Sequence, residues 1–198
     1  MGGGRQILVY THGKSEFRLA TAHHHMGRSY LDYKCYEQAI DHLTLSLKKN
    51  SKLSDVGETK LYHSYILTTL SQCYYEISSH EDALEVLVRA QEIQQSYFSD
   101  AGEKEKCHVE TLLCMARCHL KLKHYSDAHR LINRALEYCL TAKGAKSYPA
   151  ASLTFQQARI YAEEGDYGQA VGLTEQAIGT SPFTQKCFWR WSTPTSWN

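Results

Sequence analysis

Proline is scarce in this chain, 3 among 198 residues, and glycine is modest at 12. Those counts exclude a collagen-like repeat and speak against a turn-dense all-β architecture. Charge of one sign is also missing: 22 Lys and Arg stand against 21 Asp and Glu, for a net charge of +1. A globally basic nucleic-acid binder is therefore not expected. No apolar run approaches 18 residues, so no membrane span is expected. The opening MGGGRQILVYTHGK turns polar after four apolar or aromatic residues, so a secretory leader is not expected. Cysteine is present, but as an odd set: Cys35, Cys73, Cys107, Cys114, Cys118, Cys139 and Cys187. Seven thiols cannot all pair internally, and reduced thiols in a cytoplasmic protein are the expectation.

What the sequence does have is 42% hydrophobic residues, enough for a core, and an internal repeat. Four strings align: Tyr36-Glu-Gln-Ala39, His80-Glu-Asp-Ala83, Tyr125-Ser-Asp-Ala128 and Tyr167-Gly-Gln-Ala170. Their alanines are 44, 45 and 42 residues apart. Twelve residues before each alanine stands a small residue: Gly27, Ser71, Ala116 or Ala158. Three positions after that comes a ring, Tyr30, Tyr74, His119 or Tyr161. Seven residues after the alanine comes Ser46, Ala90, Ala135 or Ala177. The segments on both sides show helical periodicity, so each unit reads as helix, turn, helix. Small side chains let two axes approach, and the ring before the alanine is expected to plug the turn. One such hairpin cannot bury its apolar face alone, whereas four stacked hairpins can.

These columns resemble the tetratricopeptide repeat (TPR) family, whose signature places Leu-Gly and Tyr on a first helix and two alanines on a second. The first repeat carries Met26-Gly27, Tyr30, Ala39 and Leu43. The last carries Ala158, Tyr161, Gly165-Asp-Tyr167, Ala170, Ala177 and the closing Pro182. Ser46, Gln157 and Thr174 depart from the pattern. The resemblance implies an all-α, right-handed superhelical solenoid of about four antiparallel hairpins, at residues 16–52, 53–99, 100–145 and 146–182. Residues 1–15 are expected to be irregular, with Ser15 as the cap of the first helix. The family's ordinary unit is 34 residues, so these repeats are long. In geometry they are similar to those of kinesin light chains and spindle-orientation adaptors. All three tryptophans, Trp189, Trp191 and Trp197, lie in residues 183–198. That tail reads either as the altered end of a longer repeat protein or as aromatics folded back on the last repeat.

Sites for chemistry are weak. Gly13-Lys14-Ser15 resembles the end of a phosphate loop, but Leu8 stands where the loop needs glycine. His23-His24-His25 cannot face one ion, because successive helix residues point about 100° apart. Cys114 and Cys118 are one turn apart, with His108 and His119 near in sequence. Cys118 shares its column with Cys73, however, where the repeat keeps a small buried residue, so both read as core. No nucleophile signature is present. Neither catalysis, nor a metal, nor a cofactor is expected.

The resemblance implies that a partner lies against the first helices, on the concave side of the array. The residue after each small one reads Arg28, Gln72, Arg117 and Arg159. Around it fall His24, Thr68, Tyr75, Leu113, Leu120 and Phe155. Three guanidinium forks in one column match carboxylates, so the expected ligand is an acidic protein segment or peptide. The competing reading pairs those arginines with Asp32, Glu76 and Glu163. At the columns of the chaperone-tail clamp stand His24, Arg28, Thr69, Glu110 and Cys114, which do not fit that ligand. The function expected is a protein-binding scaffold or adaptor. The alternatives are an architectural piece whose groove is filled by its own chain and a metal- or redox-sensing helical module.

Overall fold

In the computed structural model the protein is described over residues 3–51, 57–97, 101–143 and 148–179. Those residues form eight helices and no strand: α1 (Gly3–Asp32), α2 (Tyr36–Asn50), α3 (Gly57–Glu76), α4 (His80–Tyr97), α5 (Ala101–Lys121), α6 (Tyr125–Lys143), α7 (Tyr148–Glu164) and α8 (Tyr167–Gly179). Helices pair in succession, α1 with α2, α3 with α4, and α7 with α8. A tight turn joins α5 to α6 in the same way. The chain divides into two compact units, Met1–Cys107 and His108–Asn198.

Every small residue of the repeat is buried. Ala39, Ala83, Ala128 and Ala170 are buried on the second helices, as are Ser46, Ala90, Ala135 and Ala177 two turns further on. Gly27, Ser71, Ala116 and Ala158 are buried on the first helices. At Gly27 the approach is closest: a Cβ there would lie 2.7 Å from Leu43 Cγ and 3.1 Å from the Ala39 carbonyl oxygen. Ser46, a departure from alanine, has its own reason. Its hydroxyl donates to the Ala20 carbonyl at 2.6 Å, tying α2 to α1 inside the core. In the first unit Leu43, Ile66, Leu67, Leu70 and Cys73 form one apolar cluster. In the second, Leu112, Ile132, Leu153 and Ile160 are buried.

A second repeat lies in the turns. Lys34, Ser78, Lys123 and Gly165 have φ of 61°, 66°, 61° and 96°. Each precedes its column alanine by five residues. The next residue's amide then donates back to the carbonyl of the ring position: Cys35 to Tyr30, Ser79 to Tyr74 and His124 to His119, each at 2.9 Å, and Asp166 to Tyr161 at 2.9 Å. This left-handed closure satisfies carbonyls that the end of a helix otherwise leaves open. It also sets the angle at which the second helix returns.

Two expectations need correction. Residues 3–15, expected to be irregular, belong to α1, and Ser15 lies inside that helix rather than capping it. No proline interrupts this stretch, Gly3 and Gly4 fall in the helix's first turn, and Gly13 in its interior costs only about 1 kcal/mol. Gly13-Lys14-Ser15 is therefore helical and forms no phosphate-wrapping loop. The ring before the alanine reaches beyond its own turn in two hairpins, while Tyr167 is 70% exposed and plugs none. The Tyr125 hydroxyl donates to the Glu163 carbonyl at 3.2 Å, reaching the next hairpin's first helix. Tyr36 likewise reaches forward to Glu76, its phenol held above the usual range first by burial and then by that carboxylate. The tail, residues 183–198, lies outside the described residues.

Candidate partner-binding surface

The expected surface residues stand on the first helices, and the structure sorts them by exposure. In the first unit Arg28 is exposed, while Gln72 and Tyr75 are half-buried, with the Tyr75 ring 5.2 Å from that of His80. In the second unit Leu113, Arg117, Phe155 and Arg159 are half-buried.

Three of the ten residues are buried. His24, only 8% exposed, is used inside the first unit: Nδ1 meets the Tyr62 hydroxyl at 3.0 Å and Nε2 meets Thr69 Oγ1 at 3.0 Å. It thus ties α1 to α3 from both ring nitrogens. Thr68 is buried, its hydroxyl donating to the Ser64 carbonyl at 3.0 Å. Leu120 is buried as well. Each lies three or four residues from its column arginine or glutamine, on the same side of its helix, so its burial is set by what packs against that side and not by helical phase.

The arginines differ from the competing reading. Among the described residues neither Arg28 nor Arg159 is paired with a carboxylate. Arg159 donates from Nη1 to the Gln156 side-chain oxygen at 3.0 Å, which leaves other N–H groups of its fork to act outward. Ion pairs are found elsewhere: Lys49 with Glu16 at 3.4 Å, His129 with Glu164 at 3.1 Å and Arg130 with Asp127 at 2.7 Å.

The three consecutive histidines serve three directions. His23 Nδ1 meets His42 Nδ1 at 3.0 Å, and the His42 ring also stacks on Tyr30 at 5.3 Å. His24 is buried as described, and its pKa falls to about 4, first through burial and then through the charges of His25 and Arg28. His25 is exposed.

Cys73 and Cys118 are buried, and burial pushes their thiols up to about 11 and about 12. Groups held so firmly protonated are poor nucleophiles and poor metal ligands. His108 packs edge-on against Tyr138 at 5.1 Å, and His119 lies against His124 at 5.7 Å, so both rings have packing partners. No group of three or more His, Cys, Asp or Glu is placed to hold a metal among the described residues. No helix there is long and apolar enough to cross a membrane.

No protein-family model matches the sequence, and no curated protein matches it. Solved structures do match. The chain is similar to BtubC (BKLC) from P. vanneervenii, with a TM-score of 0.69 and 14% identity over 91% of this chain and 68% of that one. It is similar to TPR-like repeats assigned to a kinesin light chain of Podosopora anserina, with a TM-score of 0.67 and 17% identity over 84% and 76% of the two chains. A third is the Rap conjugation gene regulator of plasmid pLS20 in complex with the Phr* peptide. There the TM-score is 0.69 and the identity 17%, over 85% of this chain. The chain spans 45% of that regulator's length. At these identities the likeness is one of fold. The fold is that of the TPR-like helical repeat proteins.

Proposed function

We propose that this chain is a non-enzymatic protein-binding scaffold that grips acidic peptide or protein segments through its first helices, with Arg28 and Gln72 serving in the first unit and Arg117 and Arg159 in the second. Leu113 and Phe155 supply apolar contacts for an anchor residue, and Tyr75 borders Gln72. The observation that carries this reading is the lack of a carboxylate partner at Arg28 and Arg159 among the described residues. A guanidinium fork without an internal acid is matched by an external one, bidentately. The Rap regulator with its Phr* peptide is an instance of this fold holding a peptide.

The test uses fluorescently labelled peptides, one rich in Asp and Glu with a Leu or Phe anchor and one with the acids changed to Asn and Gln. The acidic peptide is expected to bind the full chain and the neutral one to bind far more weakly. Affinity should fall as salt rises, because exposed charges are screened beyond about 10 Å at 0.1 M. Arg117→Glu should weaken binding more than Arg117→Ala, since repulsion is added to the lost hydrogen bonds. Equal binding of both peptides at every salt concentration would exclude the arginine reading.

A further inference from the structure

The first hairpin is joined to α3 mainly through α2, which packs on both α1 and α3, while α1 itself touches α3 only lightly. That direct seam is centred on one buried side chain. His24 meets the Tyr62 hydroxyl with Nδ1 and Thr69 Oγ1 with Nε2, both at 3.0 Å. The Tyr62 ring also stands edge-on to His24 at 5.4 Å and to Phe17 at 5.3 Å. Counting protons fixes the state of the imidazole. The Thr69 hydroxyl donates to the Tyr65 carbonyl at 3.0 Å, so its oxygen is left to accept from His24 Nε2–H. Nδ1 therefore carries the lone pair and accepts from the Tyr62 hydroxyl. Burial holds the Tyr62 phenol above its ordinary range, which keeps that donor protonated. A second proton on the His24 ring has no place here. It would set an Nδ1–H against the Tyr62 O–H and put a buried cation beside His25 and Arg28 on its own helix. From α3 the ring meets only a phenol and a hydroxyl, and among the described residues neither α2 nor α3 pairs it with a carboxylate.

We infer that His24 is an acid-released latch: neutral, it closes α1 onto α3, and protonated, it frees α1 to part from α3 along this seam. The crossing of α1 with α2 does not use the latch, since Gly27 meets Leu43 and Ala39 there and Ser46 donates to the Ala20 carbonyl. The sign follows from where the proton is better held. In the closed seam the pKa of His24 is about 4, below its ordinary 6.5, so the open form takes up the proton first. The latch is shut above pH 6.5 and is released as pH falls from there toward 4. Arg28 stands one turn further along α1, so release also moves it relative to Gln72 on α3. What that movement does to a ligand rests on the partner-binding reading, whereas the latch itself does not.

Amide hydrogen exchange of the full chain at pH 7 and pH 5, corrected for the intrinsic pH dependence of the chemistry, reads the latch directly. Protection over residues 17–28 of α1 should fall about twentyfold between those pH values, the ratio imposed by a group that passes from about 4 to 6.5 on opening. Protection in α8, which carries no histidine, should stay constant, because a local opening leaves it untouched. His24→Gln retains an acceptor and a donor but cannot titrate, so its α1 protection should be the same at both pH values. Tyr62→Phe keeps the ring and removes the donor to Nδ1. It should speed α1 exchange several-fold at pH 7 and shrink the pH effect. Unchanged α1 protection in the wild-type chain would overturn the latch. So would an equal fall in α8, which makes the opening global, or a twentyfold fall that survives in His24→Gln.

Discussion

The first and last hairpins follow one plan and end in different surroundings. In the first, Ala39 and Leu43 of α2 are fully buried, and Gly27 brings α1 so close that no methyl group fits between them. In the last, Ala170 is buried by the same logic, but Thr174 and Val171 border an open apolar pocket. The difference lies in the neighbour: α2 packs on both α1 and α3, whereas among the described residues α8 packs on α7 alone. Burial within a hairpin comes from its own columns, and burial of its outer face comes from the next hairpin. A repeat protein is therefore stabilised in two separable ways, and among the described residues α8 shows only the first.

Leu43→Ala and Thr174→Ala sharpen this comparison most strongly, because they occupy one repeat position with and without a neighbour. Leu43→Ala should cost about 2–5 kcal/mol, the usual range for emptying a packed site. Thr174→Ala should cost less than about 1 kcal/mol, because the side chain borders open space. Chemical unfolding of both variants checks the pair, and equal losses would mean that the two faces are equally packed.

Glycine offers the next contrast. Gly27→Ala places a methyl group 2.7 Å from Leu43 Cγ and should cost about 1–3 kcal/mol through overpacking. Gly172 lies in α8 with nothing within 4 Å of a built Cβ. Gly172→Ala should stabilise by up to about 1 kcal/mol through helix propensity alone. Thermal melts of opposite sign are the expected outcome.

Histidine sets a smaller effect, confined to the first unit. The folded pKa of His24, about 4, lies below its ordinary 6.5, so the unfolded chain takes up the proton first. Its contribution is complete above pH 6.5 and is lost as pH falls from there toward 4. Partial access to solvent trims the effect to on the order of 1–2 kcal/mol. His24→Gln should flatten the stability profile over that window, as measured by denaturant midpoints. A profile as steep as wild type would assign the acid sensitivity to other groups.

The alanine columns make the hairpins legible in the sequence, because a helix crossing accepts only a small side chain and so leaves a periodic mark. The turns leave no such mark. Lys34, Ser78 and Lys123 adopt a left-handed backbone without glycine, held there by the amide that comes next in each turn. The start of α1 is hidden because residues 1–15 contain Gly2-Gly-Gly4 and match no repeat column, though helix covers Gly3–Asp32. The site is legible in part. Helical phase distinguishes inward from outward, but it does not say that α3 offers Tyr62 and Thr69 to His24. Phase alone therefore places His24, Thr68 and Leu120 with the column residues, yet all three are buried, His24 by bonds to the neighbouring helix. The apolar face of α8 is hidden for a related reason: its residues look like core, and whether core is covered depends on the element packed beyond it.

The arginines carry the proposed function, and one titration tests that role most directly. The triple variant Arg28→Ala, Arg117→Ala, Arg159→Ala is compared with wild type for binding the Asp- and Glu-rich anchor peptide by fluorescence anisotropy at low salt. Each guanidinium that acts as a central anchor is worth about 1–3 kcal/mol, so the triple variant should lose at least about tenfold in affinity and most of its salt dependence. Unchanged affinity with the fold intact by circular dichroism would contradict that role, leaving the arginines as solvated side chains on the first helices.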